Sequence, residues 1–113
     1  MFEEGVDFVM RIRGAAVDPA WGVRNFGQVK THNGVAFSGA LTRNGEVVGE
    51  FENHGNGGAT FVTFIPHGAD VVPVAIAVWH PREEFLREAG RLFPGEPEAD
   101  GLLVLALLER AGL

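Results

Sequence analysis

The chain has 113 residues, of which 46% are hydrophobic and 21% are charged, a composition typical of a folded globular domain. Its formal charge of −6 disfavours binding to nucleic acid or to an anionic membrane, since both carry negative charge. The absence of cysteine excludes disulfides, thiolate metal sites and cysteine nucleophiles. We therefore expect one domain over residues 1–113, stabilised by packing.

The N-terminal part of the chain predicts a cytoplasmic location for the protein, a strand and a turn. Residues 1–5 are acidic and no apolar run of secretory length follows, so neither a signal peptide nor a spanning helix is expected. Residues 6–12 predict a strand. Asp18 and the proline after it predict a turn in which Asp18 accepts a hydrogen bond from the amide two residues on, with Trp21 covering the core.

The middle of the chain predicts an antiparallel meander. A short strand is expected over residues 26–30, followed by a tight reversal at His32-Asn33-Gly34. Residues 35–42 and 47–52 both alternate with the period of two that a strand requires, and Asn44-Gly45 between them is typical of a type I′ hairpin turn. This alternation places Val35, Phe37, Gly39 and Leu41 on one face of the first strand, and Val47, Gly49 and Phe51 together on the next.

A further strand and a helical C-terminal third complete the predicted fold. Residues 59–65 are rich in β-branched and aromatic side chains and predict a strand. Residues 71–79 form an apolar run that periodicity cannot assign to helix or strand, although Pro73 favours a helix. Residues 81–92 and 102–110 predict helices, because Pro81 suits a first helical turn and the second segment has an acidic start.

The last helix is apolar around its whole circumference. If Leu102, Leu105 and Leu108 face the sheet, then Leu103 and Leu107 must point elsewhere. Two interpretations are open. Either the preceding helices of the same domain cover these two leucines, or they form the seam of a homodimer.

The loop Asn53-His54-Gly55-Asn56-Gly57-Gly58 is the candidate ligand site. Its glycines tolerate the positive φ that turns backbone amides toward an anion, and His54 adds a charge that can switch near neutral pH. The alternative is a wide hairpin loop in which Asn53 bonds its own backbone. The loop lacks the lysine and hydroxyl of a P-loop, which excludes that mode of nucleotide binding.

The same region resembles a known group of proteins. Gly45-Glu46-Val47-Val48-Gly49, followed by the segment from Phe51 to Gly58, is similar to a pattern in small uncharacterised proteins of phages and other mobile elements. In those proteins a strand and glycine turn precede a second strand, an Asn-x-Gly-x-Gly-Gly loop and a helical tail. The resemblance implies an α+β fold and an intracellular setting, and it brings no activity, ligand or catalytic residue.

Catalytic and metal-binding patterns are weak. The four histidines lack close ligand spacing, so a metal site would need His54 and His67 to meet a carboxylate such as Glu52 or Asp70. Glu50 and Glu52 share a strand face, as a hydrolase pair does, but a solvated sheet face produces the same pattern. Ser38 has no nucleophile-elbow context. No catalytic residue, metal ligand or cofactor is predicted.

The sequence therefore predicts an α+β fold, an antiparallel meander of three to five strands with two or three C-terminal helices on one face. The expected core comprises Phe37, Leu41, Val47, Phe51, Phe61, Ile76, Phe85, Leu86, Leu92, Leu105 and Leu108. The favoured function is a non-catalytic interaction or regulatory protein that engages a protein partner through the glycine loop, the outer face of the meander or the last helix. The alternative is a protein that binds a small-molecule or nucleotide-derived anion through the loop from Asn53 to Gly58, and a small metal-dependent hydrolase is third.

Overall fold

The computed structural model describes residues 12–65 and 81–113. Its elements, numbered within that range, are strands β1 (Trp21–Thr31), β2 (Gly34–Arg43), β3 (Glu46–Asn53) and β4 (Phe61–Phe64), and helices α1 (Pro81–Leu92) and α2 (Ala99–Arg110). The strands form an antiparallel sheet in the order β1-β2-β3-β4. The predicted α+β fold is confirmed.

Two early assignments fall largely outside this range. The predicted strand over residues 6–12 lies outside the described residues except for Ile12, which is helical. Residues 71–79, for which the sequence left helix and strand open, also lie outside them.

The predicted reversals occur where expected. Asn44 has a φ of 52° and Gly45 a φ of 84°, as the type I′ turn between β2 and β3 requires. Asp18 Oδ1 accepts a hydrogen bond from the Ala20 amide at 2.9 Å, the predicted turn contact. Trp21 follows this turn as a buried residue of the core.

Strand β1 is longer than predicted because a bulge interrupts its alternation. The pairing runs from Arg24 opposite Ala40 to Gly27 opposite Ser38, so β1 contains one extra residue there. Asn25 lies at the bulge and has a left-handed backbone conformation, with a φ of 56°. The strand therefore starts at Trp21, five residues before the predicted start, since the broken period concealed its first half.

A second bulge exchanges two valines between the faces of β3. Leu41 pairs with Gly49 but Thr42 pairs with Val47, which leaves Val48 as the extra residue. Val48 is 1% exposed and Val47 is 40% exposed. The prediction that Val47 belongs to the core is wrong, because uninterrupted alternation assigns the two valines to the wrong faces.

The core lies between the sheet and the two helices, and Phe85 of α1 is at its centre. The Phe85 ring packs edge-on against the rings of Trp21 and Phe64, with centroid distances of 5.2 Å and 5.4 Å. Helix α1 therefore contacts both outer strands of the sheet. The Arg43 guanidinium lies over the Trp21 ring, 5.2 Å from its centroid, and pairs with Glu84 of α1.

The other core predictions divide into four groups. Leu41, Phe51, Phe85 and Leu108 are buried, and Phe37, Leu92 and Leu105 pack against the core with partial exposure. Ile76 lies outside the described residues. The prediction that Phe61 and Leu86 belong to the core is wrong, since each lies on the solvent side of its element. The prediction omitted Trp21, Val48, Phe93, Leu103, Val104 and Leu107.

Leu103 and Leu107 are covered by their own chain. They are 0% and 1% exposed and belong to the core cluster. Their burial follows from the position of α2, which contacts α1 as well as strands β1 and β4. A helix with neighbours on two sides is apolar around most of its circumference. Of the two interpretations of this helix, coverage within the domain is the one that the structure supports.

Both helices hold the segment before β1 through charged side chains. Glu88 accepts hydrogen bonds from the Asp18 amide at 3.1 Å and from Arg91 at 2.6 Å, and Arg91 donates to the Ala16 carbonyl at 2.8 Å. Arg110 of α2 donates to the carbonyls of residues 17, 18 and 21. These contacts fix where β1 begins relative to the helices.

The Glu88 contact predicts a dependence of stability on pH. The hydrogen bond from Arg91, more than the bond from the Asp18 amide, lowers the pKa of Glu88. A lowered native pKa gives stability that is complete above the unfolded pKa and is lost as the pH falls through the native pKa. We expect Glu88→Gln to destabilise the protein by about 1 kcal/mol at pH 7, with the difference vanishing in acid.

Urea denaturation of both proteins from pH 7 down to pH 3 measures this difference. Glu46→Gln, at an exposed carboxylate in the β2–β3 hairpin, is the matched control and should change stability little at either end. A Glu88→Gln effect that stays constant across the titration would contradict the assigned cause.

Candidate functional site: the glycine loop and the outer face of the sheet

The glycine loop connects β3 to β4 and is held by its own side chains. Asn53 Oδ1 accepts from the Gly55 amide at 2.9 Å, and Asn53 Nδ2 donates to the Gly58 carbonyl at 3.2 Å and to Thr60 Oγ1 at 3.1 Å. Asn56 Oδ1 accepts from the Gly58 amide at 3.0 Å. The two bonds accepted by asparagine Oδ1 atoms are Asx turns, the local bonding that the hairpin interpretation of the loop predicts.

Gly55 docks the loop onto the β1–β2 hairpin. It is buried, has a φ of 74°, and its carbonyl accepts a hydrogen bond from Thr31 Oγ1 at 2.6 Å. A Cβ at this position would lie 2.6 Å from the Ala36 amide nitrogen and 2.9 Å from Thr31 Cγ2. The backbone approaches the hairpin too closely for any side chain.

This bonding reduces the capacity of the loop to hold an anion. The amides of Gly55 and Gly58 already donate to asparagine side chains, so they are not free donors for a phosphate or carboxylate. His54 is exposed, and its Nε2 lies 3.6 Å from Glu52 Oε1, which places a negative charge beside the proposed anion. Gly57, at a φ of 81°, is exposed with open space around it.

The outer face of the sheet, opposite the helices, carries a continuous groove. The register places Gly27, Ser38, Glu52 and Phe61 in one row across the four strands, and Ala40, Glu50 and Thr63 in the next. Two adjoining depressions share Ser38 and Glu52, and the one nearer Thr63 has a volume of about 350 Å³. We call this surface the outer groove.

Small residues form the floor of the outer groove along β2, and larger ones form its sides. The floor consists of Ala36, Ser38 and Ala40. Strand β1 contributes Asn25, at its bulge, and Val29, which is 68% exposed. The alternation of Gly27 and Val29 also places Asn25 on this face, but the predicted strand over residues 26–30 stops short of it.

Strands β3 and β4 contribute the acidic and aromatic side of the outer groove. Glu50 and Glu52 are both exposed, and Phe61 is 54% exposed. The Phe61 ring lies 5.7 Å from the His54 ring. Within residues 12–65 and 81–113, no basic side chain forms an ion pair with Glu50, and the one partner of Glu52 is His54.

The outer groove and the glycine loop were also the predicted places for metal or acid–base chemistry. In the described part of the chain, no cluster of three histidine, aspartate or glutamate side chains is placed to hold a metal ion. His67 and Asp70, the other predicted metal candidates, lie outside that part. Glu50 and Glu52 are open to water, whereas a carboxyl that acts as a general acid is usually shielded from it.

A second concave surface lies at the other end of the core. It is apolar, with Phe26, Val35 and Phe37 of the β1–β2 hairpin facing Leu105 and Leu108 of α2. Arg13 and Glu109 at its rim form an exposed ion pair of 3.3 Å. Its lining is mainly apolar, with Gln28, Arg13 and Glu109 as its polar side chains.

Comparisons with known proteins return no relative. No family model, no curated protein and no solved structure matches this chain. The helices described in residues 12–65 and 81–113 are too short or too polar to cross a bilayer.

Proposed function

We propose that this chain is a non-catalytic protein-interaction module that binds a partner protein through the outer groove. The observation that supports this proposal is the composition of that surface. An exposed aromatic ring and two exposed carboxylates lie together beside a floor of small residues on a four-stranded sheet. Exposed aromatic side chains with polar neighbours are characteristic of protein-binding surfaces.

The other surfaces that the sequence nominated are weaker candidates. Leu103 and Leu107 are buried, so a homodimer would require a different contact surface. An anion-binding role for the segment from Asn53 to Gly58 has less support, since two of its amides are already bonded. A regulatory role in a phage or other mobile element, acting in the cytoplasm, is the biological setting that the motif resemblance favours.

Site-specific photo-crosslinking tests the proposal. Benzoylphenylalanine at Thr63 places the reactive group in the outer groove, and the same group at Arg87 places it on an exposed position of α1. In a lysate of the source cell, we expect the variant with the group at Thr63 to form discrete protein adducts that the one at Arg87 does not form. Identical adducts from both positions, or none from the groove, would remove the proposal.

A further inference from the structure

We infer that the partner segment bound in the outer groove is an extended polypeptide with basic side chains two residues apart. This inference rests on the proposed function and adds the conformation and the charge pattern of the partner. It follows from the width of the groove, the spacing of its carboxylates and the position of Phe61.

The width of the outer groove favours an extended segment over a helix. Its floor is strand β2 and its sides rise from β1 and β3, so the sides are two strand spacings apart, roughly 10 Å. A helix with its side chains has a diameter of about 10–12 Å and would not reach the floor. An extended chain is narrower and can lie along the floor from Ala36 to Ala40, a length of roughly 14 Å or four residues.

The carboxylates match the period of such a segment. Glu50 and Glu52 lie on the same face of β3, two residues apart, which corresponds to about 7 Å along the strand. Side chains on one face of a second extended chain repeat at the same distance. Basic residues at positions i and i+2 can therefore each meet one carboxylate, with the Glu50 carboxylate free of ion pairs to described residues.

Phe61 distinguishes this surface from a general acidic patch. It pairs with Glu52 across β3 and β4, so a side chain that reaches the Glu52 carboxylate passes beside an exposed ring. A guanidinium contacts an aromatic ring more favourably than an ammonium does, because it is planar and less strongly hydrated. The partner should therefore prefer arginine to lysine at the position that meets Glu52.

Other ligand classes fit the outer groove less well. Nucleic acid and anionic lipid would be repelled by Glu50 and Glu52 and by the net charge of −6. A divalent cation would find no third acidic or histidine ligand among the described residues. A carbohydrate could stack on Phe61 without using the charge of Glu50 and Glu52. The chemical identity of the crosslinked partner distinguishes a carbohydrate from a polypeptide.

Titration with synthetic peptides, followed by ¹⁵N-resolved NMR, tests the inference. The probe has nine residues, with arginine at the fourth and sixth positions and threonine elsewhere. Three comparison peptides have the two arginines adjacent, lysine in place of both arginines, or glutamate in place of both. We expect amide shifts at Gly27, Ser38 and Thr63 and none at Gly90 of α1, with binding at least fivefold weaker for adjacent arginines and undetectable for glutamate.

Matched variants separate the groove from the overall charge. The double change Glu50→Gln with Glu52→Gln should weaken binding of the probe at least tenfold. The charge-matched control, Glu46→Gln with Glu83→Gln, alters exposed carboxylates outside the groove and should weaken binding less than twofold. Phe61→Ser should weaken it about threefold and abolish the preference for arginine over lysine.

Three results would overturn the inference. The first is the absence of amide shifts in the groove, and the second is equal binding of the two arginine peptides. The third is an equal loss of peptide affinity in the groove double variant and the control double variant. The last of these would indicate attraction by net charge. Discrete Thr63 adducts whose crosslinked segment lacks the two-residue basic spacing, or which contain carbohydrate, would refute the inference while leaving an interaction surface in place. Failure of the proposed function instead requires the absence of groove-specific adducts.

Discussion

Leu103→Ala is expected to reduce the free energy of unfolding by about 3–4 kcal/mol, the usual cost of truncating a fully enclosed leucine. Leu103 has no exposed surface and lies in the core cluster where α2 contacts α1 and the sheet. The change removes apolar contacts and leaves a cavity that rigid neighbours fill incompletely. Denaturant unfolding, followed by tryptophan fluorescence because Trp21 is buried in the same core, measures the loss.

The same substitution distinguishes core packing from self-association. Leu86→Ala, at a leucine of α1 that is 40% exposed, is the matched control and should cost about 1 kcal/mol or less. If Leu103 formed a dimer seam, its truncation would change the molar mass in light scattering and leave the unfolding of the isolated chain nearly unchanged. That outcome would contradict the burial of Leu103 in its own chain.

Gly55→Ala is expected to destabilise the protein by about 3 kcal/mol, an unusually large effect for the smallest possible change. Two costs combine. A φ of 74° is unfavourable for alanine by about 1 kcal/mol, and the new Cβ would lie within 3.0 Å of the backbone and side chains of the β1–β2 hairpin. Relief of the overlap would weaken the hydrogen bond from Thr31 to the Gly55 carbonyl.

Gly57→Ala is the matched control for this prediction. Gly57 has a similar φ of 81°, and a Cβ added there would meet nothing within 4 Å, so only the backbone cost of about 1 kcal/mol applies. Thermal unfolding of the two variants measures the difference. Equal destabilisation would show that the loop does not dock through Gly55, and a loss of groove binding in Gly57→Ala would indicate a role for the loop beyond turning the chain.

Local patterns predicted the secondary structure where the deciding interactions are close in sequence. Asn44-Gly45 specified the central hairpin, since few other residue pairs accept two consecutive positive φ values. Pro81 and the two glutamates that follow specified the start of α1, and its bounds agree with the prediction. The self-bonding of Asn53 was also predictable, because it involves a residue only two positions away.

The site was only partly predictable, because the interactions that form it join residues far apart in sequence. The sequence placed Glu50 and Glu52 on one face, but their neighbours Ser38 and Phe61 depend on the register between strands. The sequence left open whether the glycine loop binds an anion or bonds to itself, and in the structure the amides of Gly55 and Gly58 donate to asparagine side chains. Docking of Gly55 against Ala36 joins residues 19 positions apart and leaves no local trace.

The sequence by itself determined the class of the fold, its hairpins and its two described helices, since period and turn chemistry act over a few residues. Only the tertiary structure decided which valine of β3 is buried, where Asn25 bends β1, and that Leu103 and Leu107 belong to the core. Bulges shift a face by one residue, and a helix is covered or exposed according to its neighbours. Both effects arise from contacts between distant segments, which periodicity does not encode.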